Sequence, residues 1–78
     1  MRAVVTVIGK DMVGILARVS TICAENGVNV VEVTQSIMQD LFAMIMMVDI
    51  SKSTVPFNEL SDKLTAIGSD MNLTVHVM

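Results

Sequence analysis

Apolar positions first come as a block: Ala3 to Ile8 (AVVTVI) is apolar and mostly β-branched, and Gly9, Lys10 and Asp11 end it with turn chemistry. The block predicts a central strand. From Gly14 the period changes. Ile15, Leu16, Val19, Ile22 and Cys23 share one helical face, with Arg18, Thr21 and Glu25 on the other side. Asp11 is placed to cap the start of this helix, and Asn26-Gly27 to end it in the left-handed conformation. Val28 to Ile37 is a second strand in which the apolar parity slips, from Val28 and Val30 to Val31, Val33 and Ile37. A bulge near Val30 and Val31 accounts for the slip. Met38-Gln39-Asp40 is a short turn, and Leu41 to Ile50 a third strand, apolar on both faces and therefore central. Ser51 to Val55 is a loop, and Pro56 suits a first helical turn. Phe57, Leu60, Leu64 and Ile67 then mark a second amphipathic helix, closed by Gly68. Leu73, Val75 and Val77 alternate with Thr74 and His76 in a last, half-exposed strand.

The order is βαββαβ over residues 1–78, a single domain without an internal linker or repeat. Two right-handed crossovers joined by a hairpin give an α+β fold: a ferredoxin-like sandwich, its four-stranded antiparallel sheet carrying both helices on one face. The other face is then uncovered. It carries an alternate set such as Val4, Thr6 and Ile8, or Ala43, Ile45 and Met47, and neither set is fully polar. Such a face is usually covered by another copy of the fold.

Composition points the same way. At 53% hydrophobic and 17% charged residues in 78, the chain has more apolar material than so small a domain can bury, which favours self-association. Five basic against eight acidic residues, a net charge of −3, oppose binding to nucleic acid. The longest apolar run, Leu41 to Val48, is far short of the about 20 residues that cross a bilayer, and Thr6, Gly9, Lys10 and Asp11 interrupt any signal segment. A single cysteine, Cys23, forms no intramolecular disulfide, so a reducing, cytoplasmic setting is expected.

Most chemistry known on this topology lacks its residues here. Copper carriers need a Cys-x-x-Cys pair in the first loop, which reads Gly9-Lys10-Asp11-Met12-Val13-Gly14. RNA recognition needs stacking aromatics, and Phe42 and Phe57 are the only two. An acylphosphatase-like anion cradle needs Arg in that loop, whereas Arg18 lies a full turn into the helix. The acids are scattered and His76 is the only histidine, so no catalytic cluster forms and no enzyme, metal or cofactor is expected. His76 is read as solvated and Cys23 as a buried, inert thiol. Met44, Met46 and Met47 are read as flexible core filler, with an adaptable binding surface as the alternative.

The first loop carries the candidate site. Lys10 to Ile15 leads into a helix N-terminus, where free N–H groups and the helix dipole attract a carboxylate. Gly14 lets a ligand approach the backbone, and Asp11 supplies an acceptor for an ammonium group, so the pair suits a zwitterion. Asn29, at the entry to the second strand, adds an orienting amide. Each residue also has a structural alternative: a cap for Asp11, a tight turn or close packing for Gly14, a strand-entry amide for Asn29.

Gly9-Lys10-Asp11-x-x-Gly14-Ile15-Leu16, followed by Glu25-Asn26-Gly27-Val28-Asn29-Val30, resembles the ACT domain over the whole chain. It is most similar to short proteins that consist of one ACT domain, and more distantly to the glycine cleavage system transcriptional repressor. The resemblance implies a module that binds amino acids and regulates metabolic enzymes. In such domains the loop before the Gly and the Asn of the second strand contact the effector, usually across a dimer interface. By position these are Asp11, with Gly14 behind it, and Asn29. The chain departs from the family pattern at Val13, where Pro is common, and at Gly9 and Asp11, where many members carry Asn or His. The expected ligand-binding set is Lys10, Asp11, Val13, Gly14, Ile15, Asn29 and Val30. The expected function is an allosteric amino-acid sensor in a homodimer or larger assembly, with a possible metabolic enzyme partner. A structural oligomerisation module without a ligand is the alternative.

Overall fold

The computed structural model describes residues 1–10 and 14–78. The elements run β1 (Arg2–Gly9), α1 (Ile15–Glu25), β2 (Asn29–Met38), β3 (Leu41–Asp49), α2 (Phe57–Met71) and β4 (Thr74–Val77). The four strands form one antiparallel sheet in the order β2-β3-β1-β4. This is the ferredoxin-like sandwich, with β1 and β3 central as their two-sided apolar character requires.

The pleat sorts the side chains. Ala3, Val5 and Val7 of β1 sit opposite Val48, Met46 and Met44 of β3, and all six are buried. Ile15, Val19 and Cys23 of α1 and Leu60, Leu64 and Ile67 of α2 close over them, so Met44 and Met46 fill the core. The other parity pairs Val4 with Met47, Thr6 with Ile45 and Ile8 with Ala43, and this set is partly or fully exposed.

The β2–β3 register shifts between Val30 and Glu32. Val31 is the extra residue of a bulge, which lets Val30, opposite Val48, and Val33, opposite Met46, both join the core despite an odd spacing. At the end of α1 the Val28 N–H donates to Cys23 O (2.8 Å) and the Gly27 N–H to Ala24 O (3.4 Å), a Schellman ending with Gly27 at φ 71°. Asn26, buried, donates from Nδ2 to Ile22 O (2.7 Å) and accepts from Lys63 Nζ (3.1 Å), while its carbonyl accepts the Thr54 N–H (2.8 Å).

Three expectations need correction. Gly68 does not close α2, which runs on to Met71 and ends at Asn72, φ 58°. Gly68 is instead a contact glycine: a Cβ there would lie 2.7 Å from Leu73 O and 2.9 Å from Val75 Cγ2. Phe57 stands on the first turn of α2 but is 41% exposed, so the buried stripe begins at Leu60. The N-cap position of α1 is Gly14, and the cap expected of Asp11 falls outside the described residues.

Candidate functional site

Gly14 is exposed and left-handed at φ 80°, and its carbonyl accepts the first helical bond, from the Arg18 N–H (3.1 Å). Among the described residues a Cβ at this position would meet nothing within 4 Å. Among these residues, the absence of a side chain thus answers to the backbone conformation and not to crowding. Ile15 is buried in the core, so only its backbone can face a ligand. Lys10 is exposed on the rim of a cavity of about 380 Å³, walled by Ile8, Leu41, Met71 and Leu73. Asp11 and Val13 lie outside the described residues.

Asn29 is exposed and stands opposite Asp49 in the β2–β3 pairing, while Val30 beside it packs against the core. The topology sets Asn29 far from Gly14 within one chain. α1 descends from Gly14 through 11 residues before the chain turns into β2, a rise of roughly 16 Å. Gly14 and Asn29 therefore lie at opposite ends of α1, and one copy does not bring them together.

Asn29 instead lines a smaller cleft of about 220 Å³ with Gly27, Asp49, Ser51 and Lys52. Asp49 Oδ1 accepts the Ser51 N–H at 2.9 Å and faces the Met1 ammonium at 3.7 Å; that ammonium donates to Ser51 Oγ at 2.7 Å. Hydrogen bonding from the Ser51 side chain, then from its backbone, holds the Asp49 carboxyl below its ordinary pKa, so it stays ionised. The turn is clamped by Gly27, where a Cβ would come 2.5 Å from Lys52 O, and by the Thr54 bond to Asn26. Sequence reasoning passed over Asp49, Ser51 and Lys52, because Asp49 falls inside the third strand and Ser51 and Lys52 in the loop after it. Their only signal was the proximity that β2–β3 pairing with Asn29 imposes.

Cys23 is buried on the core face of α1, and burial pushes its thiol pKa up. His76 is exposed on β4 opposite Thr6. Among the described residues no cluster of three or more His, Cys, Asp or Glu could hold a metal ion, and no helix is long and apolar enough to cross a membrane.

Comparison with known proteins adds four findings. The model of a family described as the ACT domain matches residues 2–78. A UPF0237 protein of Listeria innocua is 49% identical over 77 residues, which cover 99% of this chain and 86% of that protein. Among solved structures, an ACT domain protein from Streptococcus pneumoniae superposes with a TM-score of 0.85 at 33% identity, covering 100% of this chain and 88% of its own. The fold also recurs in the regulatory subunit of aspartate kinase from Thermus thermophilus, at 22% identity and a TM-score of 0.71, over 99% of this chain and 50% of that one.

Proposed function

This chain belongs to the ACT domain family, and on that footing we propose that it senses an amino acid or related small carboxylate where two subunits meet. It acts in the cytoplasm as a non-catalytic regulatory module, passing the binding event to a metabolic enzyme or regulator. The neighbouring fold in a kinase regulatory subunit is consistent with that role.

The observation that carries the reading is the separation of Gly14 from Asn29 together with the character of β2. This strand is an edge of ten residues, NVVEVTQSIM, with one charge, no proline, and Val31, Ile37 and Met38 exposed. An edge so long and so lightly charged is a template for pairing. Antiparallel pairing of two copies through β2 reverses one relative to the other. That brings the α1 N-terminus of one to the same end as Asn29 of its partner, where N–H groups near Gly14 receive the ligand carboxylate and the Asn29 amide orients it.

A thermal-shift screen of the common amino acids tests this. A ligand at a hundred times its Kd adds about 2.7 kcal/mol to the native state. For a chain of this size that raises Tm by roughly 10 to 20 °C. Asn29→Ala should reduce the shift, and Val31→Lys, which puts a charge on the edge, should both dissociate the assembly in sedimentation and abolish the response. A monomeric wild-type chain, or a screen with no shift, refutes the proposal.

A further inference from the structure

One face of the sheet carries no helix, and the strand register shows what lies on it. The two central strands present Met47, Ile45 and Ala43 of β3 beside Val4, Thr6 and Ile8 of β1, six positions without a charge. Ile45 is 50% exposed and Ile8 44%. Charge stands at the rim: Glu32 on the β2 edge, and Arg2 opposite Asp49 at one end. An apolar centre inside a polar rim is the anatomy of a protein–protein interface.

We propose that two dimers paired through β2 stack by these faces into a tetramer with three mutually perpendicular two-fold axes. The proposal rests on the edge pairing described above and adds a second, separate interface. Area is the first argument. Eight residues at about 3.4 Å and four strands at about 4.8 Å make a face of roughly 500 Å². Two single chains stacked this way take roughly 1,000 Å² from water, the lower bound for a specific contact, whereas two edge-paired dimers take twice that and reach the standard range.

Closure is the second argument. Edge pairing sets a two-fold axis perpendicular to the sheet. A stacking axis along the strands over the β3–β1 seam misses that axis and adds chains without end, while one running across the strands meets it and closes at four copies. Thr34, near the middle of the ten-residue β2, shares its row with Ile45 and Thr6, so closure at this row reverses the other rows and keeps each strand over its own counterpart. Ile45 then packs on Ile45, Val4 on Ile8 and Met47 on Ala43, while Glu32 meets the Ser36 hydroxyl. The Arg2 and Asp49 row falls at the end of the overlap, where the angle of about 30° between packed sheets opens toward water.

Sedimentation of the wild-type chain at micromolar concentration should give the mass of four chains. Ile45→Glu sets two carboxylates against each other in every stacked pair, at a half-exposed position that the fold does not depend on. It should give two chains that keep the wild-type thermal shift with the panel of common amino acids. Ile45→Lys should do the same, and mixing the two variants in equal amounts should restore four chains, because Ile45 faces Ile45. A wild type of two chains that responds to amino acids, an Ile45→Glu protein that stays at four, or a mixture that stays at two overturns the stacking and leaves the edge-paired sensor standing. A wild type of one chain removes both.

Discussion

Gly27 and Gly14 both have positive φ, 71° and 80°, yet they should respond very differently to alanine. At Gly14 a Cβ meets nothing among the described residues within 4 Å, so the cost of Gly14→Ala is conformational. A left-handed L-residue costs about 1 to 2 kcal/mol, and the alanine returns about 0.4 to 1 kcal/mol by stiffening the unfolded chain. The net is near 1 kcal/mol, or a fall in Tm of roughly 4 to 8 °C. Gly27→Ala meets the same backbone term and adds a contact of 2.5 Å with Lys52 O, a backbone atom that cannot rotate away. Overpacking of that kind costs about 1 to 3 kcal/mol more, for a total near 3 kcal/mol and a Tm lower by roughly 12 to 24 °C. Urea unfolding of both variants at one fixed protein concentration reads the difference directly, because the conformational term cancels and the steric one remains. Equal destabilisation of the two would refute the claim that Gly27 exists to seat the 50–54 turn against the end of α1.

Two further outcomes follow from titratable groups. Cys23 has a raised pKa because it is buried, so the stability due to its neutral thiol is complete below the unfolded value near 9.0 and is lost as pH rises through the higher folded value. Its reaction with a thiol reagent at neutral pH should accordingly track global unfolding, and fast labelling of the native protein would contradict the core placement. Asp49 is shifted the other way, so its contribution is present above its ordinary value of 3.8 and disappears as pH falls through the lower folded value. The difference in stability between wild type and Asp49→Asn should therefore shrink on acidification, which unfolding curves at stepped pH would check.

The site was less legible than the fold, and the reason lies in where each kind of information sits. Periodicity is local. Ala3 to Ile8, the α1 stripe and the alternation in β4 each declare their element from within a few residues, and even the bulge at Val31 shows as a slip of parity. Gly27 declared its left-handed ending because Asn-Gly before a β-branched run has few other uses. Gly68 misled because a glycine near the end of an amphipathic stripe reads as a stop, while its actual cause, the approach of Leu73 and Val75, comes from the next element. Phe57 misled in the same way: its spacing fits the stripe, but on the first turn of α2 it stays 41% exposed.

For the candidate site, the residue types around Gly14 and Asn29 were readable as ligand chemistry, and their separation was not. Sequence spacing says nothing about which end of a sheet a residue reaches. That follows from the antiparallel order β2-β3-β1-β4, in which the 11 residues of α1 separate Gly14 from the turn into β2. The same pairing sets Asp49 against Asn29 across 20 residues of chain, and only then do a carboxylate, an amide and a lysine share one cleft. Short-range hydrophobic order thus determined the elements, and the two motifs around Gly14 and Asn29 the family resemblance. Long-range strand register, which depends on contacts between residues distant in the chain, decided which polar groups meet.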